Sequence, residues 1–194
     1  IHESQSRFYE NLIGRSFAFC QALLPVMQEC FPEQMQGIDA ETLYRAVNLA
    51  HSSLIRTEAD ELTYALHIMV RYELEKQLMS GDLKVADLPA TWNAMYKEYL
   101  GVTVPNDRED SHWSGGAFGY FPSYALGSAY GAQMLHFMEK DVDVWGTAAK
   151  GDLRPITAWL GEKIHRYGQL LTPSQLIENA CGGPFDPHYF VDYL

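Results

Sequence analysis

Apolar residues recur at helical spacing along most of this chain. Phe8, Leu12, Ile13, Phe17, Cys20 and Leu24 would share one face of a helix running from about Glu3 towards Phe31, kinked near Pro25 and ended by Phe31-Pro32. Asp39 is placed to cap a second helix covering Glu41 to about Asn48. Leu49 to Ile55 is short and reads equally well as a strand or an extended connector. Leu62, Leu66, Met69, Leu74 and Leu78 mark a third helix, stopped by Ser80-Gly81-Asp82. Asp87 opens the next, with Pro89 in its permissive first turn, Trp92, Met95, Tyr96 and Tyr99 along it, and Gly101 closing it.

Residues 104–123 break the rhythm. They hold three glycines, several aromatics and one histidine, a composition suited to a loop that a scaffold holds for function. Ser123 then caps a helix from Tyr124 to about Met138, with Met134, Leu135 and Phe137 facing the core. Asp152 caps another, whose stripe is Leu153, Ile156, Leu160 and Ile164 and whose end is Gly168. Thr172-Pro173-Ser174-Gln175 has the form of a capping box, and the helix it starts stops at Gly182-Gly183. Asp186-Pro187 starts a last helix with Tyr189, Phe190 and Tyr193. The fold class expected is all-α, with at most a short strand pair, in one helical unit without repeats or a flexible linker.

Composition narrows the classes. A chain of 194 residues, 47% hydrophobic and 20% charged, suits one sizeable soluble domain or a large piece of one. No apolar run reaches membrane-spanning length, and no signal-peptide pattern is present. The net charge of −11 argues against nucleic acid as a partner, because phosphate binding needs a basic surface. Three cysteines, Cys20, Cys30 and Cys181, have no metal-ligand spacing and read as reduced thiols of a cytoplasmic protein, with Cys20 and Cys181 in cores. Ile1 in place of Met, directly before a helix onset, suggests part of a longer chain.

The densest chemistry lies in Ile1-His2-Glu3-Ser4-Gln5-Ser6-Arg7. Glu3 falls in the first turn of a buried helix, where a rigid carboxylate suits a metal ligand or a base. It could equally cap the helix and pair with Arg7 one turn on. Spacing alone leaves both open. The glycines of the central loop do not form a phosphate cradle, since no Gly-x-x-x-x-Gly-Lys pattern exists.

Three stretches together resemble one family. They are His2-Glu3-Ser4-Gln5-Ser6-Arg7; Ile55-Arg56-Thr57-Glu58-Ala59-Asp60; and Asp110-Ser111-His112-Trp113-Ser114-Gly115-Gly116, followed by Gly119-Tyr120-Phe121-Pro122-Ser123-Tyr124. Their identity, order and spacing are similar to those of the carboxypeptidase Taq family of metallocarboxypeptidases. The resemblance spans nearly the whole chain and implies the C-terminal part of a larger helical metallopeptidase. It implies one bound zinc, with cobalt the other candidate, and removal of single amino acids from peptide C-termini. It also implies a homodimer and a His-Glu-x-x-His helix that supplies two zinc ligands and the general base. That helix is absent here: the histidines are 2, 51, 67, 112, 136, 165 and 188, and no two are four apart. By resemblance it lies upstream. The chain would then contribute the third ligand, Glu3, and by itself be inactive and a weak zinc binder. A second departure is in the loop. The family usually has Gly-x-x-Gln just before Asp-x-His-Trp, whereas Glu109 directly precedes Asp110 here, as if a short piece were missing.

Within that resemblance, Arg56 would grip the substrate's terminal carboxylate with its bidentate fork, unless it serves as a structural ion pair with Glu58, Asp60 or Glu61. His112 and Tyr120 would donate hydrogen bonds to the developing oxyanion, against the alternative of a loop-pinning His and a buried Tyr. Tyr124 is a weaker substrate-binding candidate. His2 would orient the ligand or touch substrate, and Gln5 would fix the metal-site geometry or bind substrate. Trp113, Phe118 and Phe121 read as packing, and Lys140, Asp141 and Asp143 as a solvated face. Trp145, Trp159 and the C-terminal aromatics are candidates for a subunit interface. The rival from another class is a non-catalytic helical binding or scaffold domain of the same fold, which would hold no metal.

Overall fold

A computed structural model describes residues 1–105 and 112–194, so Glu109 and Asp110, with the suspected gap between them, lie outside the described residues. Every regular element among the described residues is helical, as expected, and Leu49–Ile55 forms a connector, not a strand. The chain divides into two units. One joins Ile1–Asn48 to Gly127–Leu194, and the other is Leu49–Leu126.

In the first unit the long opening helix is interrupted. Helix α1 (His2–Arg7) passes into a π-helical segment, Phe8–Ile13, which ends with the Gly14 amide donating to the Tyr9 carbonyl at 2.9 Å. Ser16 is extended and serves both sides of the break. Its hydroxyl donates to the Ile13 carbonyl at 2.7 Å and accepts from the Phe19 amide at 3.1 Å, starting α2 (Phe17–Cys30). A small polar residue that satisfies the end of one helix and the start of the next makes the interruption cheap. The wider π turn presents Asn11, Leu12 and Ile13 together to the interior, each 0–1% exposed. Downstream of the break only Cys20 of α2 is buried, so Phe17 and Leu24 do not continue the stripe. Asp39 caps α3 (Ala40–Val47) by accepting from the Thr42 amide at 2.8 Å.

The core of this unit gathers Phe8, Leu12 and Ile13 against Met134, Leu135 and Met138 of α6 (Pro122–Met138). Ile156 and Leu160 of α8 (Arg154–Lys163) and Ile177 of α9 (Pro173–Cys181) complete it. Each such side chain contributes about 1.5–3 kcal/mol through burial. Between α6 and α8 lies the short α7 (Val144–Ala148), and α10 (His188–Tyr193) ends the chain. The capping box of α9 is formed as expected by Thr172 and Gln175. Asp152 behaves differently: Leu153 is the cap residue of α8, and Asp152 instead holds the Arg154 amide at 3.1 Å and its guanidinium at 2.8 Å. That hydrogen-bonded guanidinium pulls the Asp152 carboxyl down to about 2. Trp159 is a correction to the interface expectation. It is buried in the core and donates to Asp141 at 2.8 Å, so it is no surface for a partner. Trp145 and Tyr193 do reach the surface, lining with Phe17 and Tyr44 a hollow of about 370 Å³. Cys20 and Cys181 are buried, and burial pushes the Cys181 thiol up to about 11.

The second unit is built on α4 (Glu61–Ser80) and α5 (Leu88–Leu100), packed through Val70, Leu74, Trp92, Tyr96 and Leu100. Asp60 caps α4, accepting from the Thr63 amide at 3.0 Å and its hydroxyl at 2.7 Å. Burial raises the Asp60 carboxyl, but these bonds and one from the His51 amide carry it below its ordinary value. The face α4 buries matches the predicted apolar stripe only in part, at Leu74 and the half-buried Leu66. Leu62 and Met69 are about half exposed, while Tyr64, His67, Ile68, Val70, Arg71, Leu74 and Glu75 are buried. Ser123 also departs from expectation: α6 begins at Pro122, and the Ser123 hydroxyl donates back to the Tyr120 carbonyl at 2.7 Å.

Candidate active site

Four of the residues singled out from sequence meet in the second unit. Arg56 opens a 3-10 turn, Arg56–Glu58, just ahead of α4, and its side chain is 8% exposed. Its Nη1 donates to the Tyr64 hydroxyl at 2.9 Å, and its guanidinium carbon lies 4.6 Å from the centroid of the Tyr124 ring. Tyr124 meets Tyr120 edge-on at 5.3 Å, Tyr120 stacks on His112 at 6.2 Å, and His112 lies 4.8 Å from Phe121. Arg56, Tyr124, Tyr120 and His112 thus form one continuous row above Phe121, which is fully buried. Phe121 and the half-buried Trp113 pack as expected, but Phe118 is 48% exposed and does not.

The row combines a planar cation with side chains that donate hydrogen bonds. The cation–π contact holds the flat face of the guanidinium on the Tyr124 ring and restricts its rotamer freedom. The Tyr120 ring is 47% exposed.

Beneath the row, α4 contributes a polar stripe that the apolar pattern of the sequence does not reveal. His67, Arg71 and Glu75 are four residues apart and share one helical face. Arg71 donates to the His67 carbonyl at 2.7 Å and to the Tyr96 hydroxyl at 3.2 Å, with its guanidinium 4.8 Å from the Trp92 ring. His67 Nδ1 also meets the Tyr96 hydroxyl at 3.2 Å. Burial, reinforced by the positive charges of Arg71 and Arg56, lowers His67 to about 4, so it is neutral at pH 7. Its Nε2 finds no hydrogen-bond partner among the described residues. Glu75 accepts from the Trp113 indole at 3.2 Å and from the Gly119 backbone amide. The signal in the sequence is a four-residue spacing of His67, Arg71 and Glu75 in a helix of mixed polarity, which a search for apolar periodicity skips.

The opening motif lies in the first unit. Glu3 is half-buried in α1, where Ile1 provides no side-chain cap, and Gly127 of α6 packs directly on it. A Cβ on Gly127 would lie 2.9 Å from the Glu3 carbonyl carbon and 3.0 Å from its Cγ, so only glycine allows this approach. Arg7 reaches the Ser128 hydroxyl at 3.2 Å and Glu10 at 3.5 Å. Gln5 meets His165 Nε2 at 2.7 Å and donates to Ser4 at 3.1 Å, while His2 is exposed.

As a metal site the described residues are incomplete. No group of three His, Cys, Asp or Glu side chains converges among them. Glu3 suits one carboxylate ligand of a site that needs at least three protein donors. None of the described helices is long and apolar enough to cross a membrane.

Comparison with known proteins bears on the family of the chain. A model of the family described as Carboxypeptidase Taq (M32) metallopeptidase matches residues 1–194. Carboxypeptidase 1 of Bacillus subtilis is 46% identical over 199 aligned positions, covering all of this chain and 40% of that protein. Thermostable carboxypeptidase 1 of Pyrococcus furiosus is 41% identical with the same coverage. The crystal structure of an M32 carboxypeptidase from Deinococcus radiodurans R1 superimposes with a TM-score of 0.96 at 41% identity, again over 100% of this chain and 40% of the other. The chain therefore spans about 40% of the length of the relatives it matches.

Proposed function

This chain belongs to the carboxypeptidase Taq (M32) metallopeptidase family, and on that premise we propose that the protein it forms part of is a zinc-dependent carboxypeptidase releasing single C-terminal residues from peptides. The observation that carries this reading is the row Arg56–Tyr124–Tyr120–His112, which sets a guanidinium held on a tyrosine ring beside groups able to donate hydrogen bonds. An exopeptidase needs both: recognition of a free carboxylate, and stabilisation of charge one peptide bond away.

In this scheme Arg56 takes the terminal carboxylate through two N–H groups, and Tyr124 holds the guanidinium and flanks the terminal residue. His112 and Tyr120 donate hydrogen bonds to the oxygen of the scissile carbonyl as it gains negative charge. Glu3 supplies one metal ligand, and two histidines and the general base come from outside residues 1–194. The metal, when bound, polarises the carbonyl and lowers the pKa of the attacking water. Gln5, engaged by His165 and Ser4, fixes α1 next to Glu3. His2 beside Glu3 is exposed and open to substrate. Zinc rather than cobalt, the cytoplasmic compartment and a homodimer contacting through Trp145 and the C-terminal aromatics belong to the same proposal.

Metal content tests it. The intact protein should carry about one zinc per chain, and Glu3→Ala should lower that content severalfold. Full metal content in Glu3→Ala removes Glu3 as a ligand. An intact protein that holds no metal and cleaves no peptide is the binding-module alternative.

A further inference from the structure

The geometry points to Glu75 as the positioning residue that sets His112 and Tyr120, a role that rests on the active-site reading of their loop. Two hydrogen bonds make the case. The Glu75 carboxylate accepts from the Trp113 indole N–H at 3.2 Å and from the Gly119 amide. Trp113 directly follows His112, and Gly119 directly precedes Tyr120. One carboxylate thus clamps the loop beside each of the two residues assigned to the oxyanion.

Within the loop, backbone bonds close local turns, the Gly115 and Ala117 amides donating to the His112 carbonyl at 3.1 and 3.0 Å. Phe118 and Tyr120 are both close to half exposed, and residues 114–116 are exposed, so side-chain burial contributes little there. Glu75 itself is 9% exposed and sits in the interior of α4, beside the fully buried Leu74. It offers a rigid post outside the loop. Gly119 has φ +71°, a conformation that L side chains adopt with strain, and its amide is aimed at Glu75. A carboxylate is required because both partners are donors. An amide at position 75 would accept from one and turn an NH₂ towards the other.

Kinetics of the intact protein on an N-blocked peptide with a free C-terminus test this. Glu75→Gln should lower kcat roughly ten- to a hundredfold with KM within about twofold, because displacing catalytic donors by about an ångström costs transition-state stabilisation, not ground-state binding. The Trp113 indole N–H resonance, assigned by its loss in Trp113→Phe, should shift upfield. Combined with Tyr120→Phe, the two losses should overlap and not multiply. Unchanged kcat in Glu75→Gln, or fully multiplicative losses, overturns the assignment if Tyr120→Phe or His112→Ala alone lowers kcat. A fall in thermal midpoint with normal kcat likewise overturns it and leaves Glu75 merely structural. If both Tyr120→Phe and His112→Ala turn over normally, the active-site reading fails first, and the positioning role goes with it. Should Glu75→Gln not fold, Trp113→Phe removes one bond without touching α4. The expected result is then a smaller kcat loss, and wild-type turnover overturns the proposal.

Discussion

Gly127 and Glu3 are in backbone contact: a single added carbon on Gly127 would come within 2.9 Å of the Glu3 carbonyl carbon. The proposed ligand therefore owes its position to a neighbour that lacks a side chain. Gly127→Ala should push α1 away from α6 and destabilise the protein by about 1–3 kcal/mol, as overpacking does. It should also weaken metal binding in the intact protein, because the displaced atoms are those of the ligand residue itself. Thermal unfolding and metal affinity read the two effects. Loss of stability with unaltered metal affinity would separate Glu3 from the metal.

Arg56 offers a test of substrate recognition. Replacing it with Lys keeps the charge but removes the fork and the flat face lying on Tyr124. Hydrogen bonds to a charged group are each worth about 1.5–3 kcal/mol, so kcat/KM should fall roughly tenfold or more on peptides with a free C-terminus. On C-terminally amidated peptides, already poor substrates, the change should be much smaller. Equal losses on both would make Arg56 a structural cation that supports Tyr64 and Tyr124.

Tyr120 is separable from the fold because its ring is 47% exposed. Tyr120→Phe should leave the thermal midpoint within about 1–2 °C, as a surface substitution of this kind costs little stability. Turnover should drop roughly a hundredfold if its hydroxyl stabilises the oxyanion. Wild-type kcat in the variant would pass that role to His112 alone.

Some of this is legible in the sequence, and the rest is hidden for physical reasons. Some helix caps are legible because their chemistry is local: Asp39 and the Thr172–Gln175 box each bond within three residues, whereas Ser123 turns back to the Tyr120 carbonyl and Asp152 to Arg154. Arg56, His112, Tyr120 and Tyr124 are reachable through their motifs, and the aromatic row shows why those motifs belong together. The break at Ser16 is hidden because a continuous apolar period masks a capping residue and a π turn that shifts the register. The stripe of His67, Arg71 and Glu75 is hidden because burying polar groups is favourable only when they find partners, and Tyr96 and Trp113 lie far along the chain. Trp159 departs from expectation for the same reason, its indole N–H being satisfied by Asp141 inside the unit.

His67 makes a prediction about pH, and its sign follows from which state binds the proton. In the unfolded chain a histidine takes a proton near pH 6.5, whereas folded His67 resists it down to about 4, first because it is buried and then because Arg71 and Arg56 oppose the charge. Above pH 6.5 both states are neutral there and His67 makes stability neither rise nor fall with pH. Between 6.5 and 4 the unfolded state alone gains the proton, so stability falls as pH falls, by up to about 3 kcal/mol from this group. Below 4 both states are protonated and the dependence levels off. Denaturant midpoints measured across that range should therefore decline on acidification. His67→Asn, which keeps a polar atom towards Tyr96 but cannot take up a proton, should lower overall stability while flattening that decline. A variant that loses stability with the full acid slope intact would place the titration elsewhere in the protein.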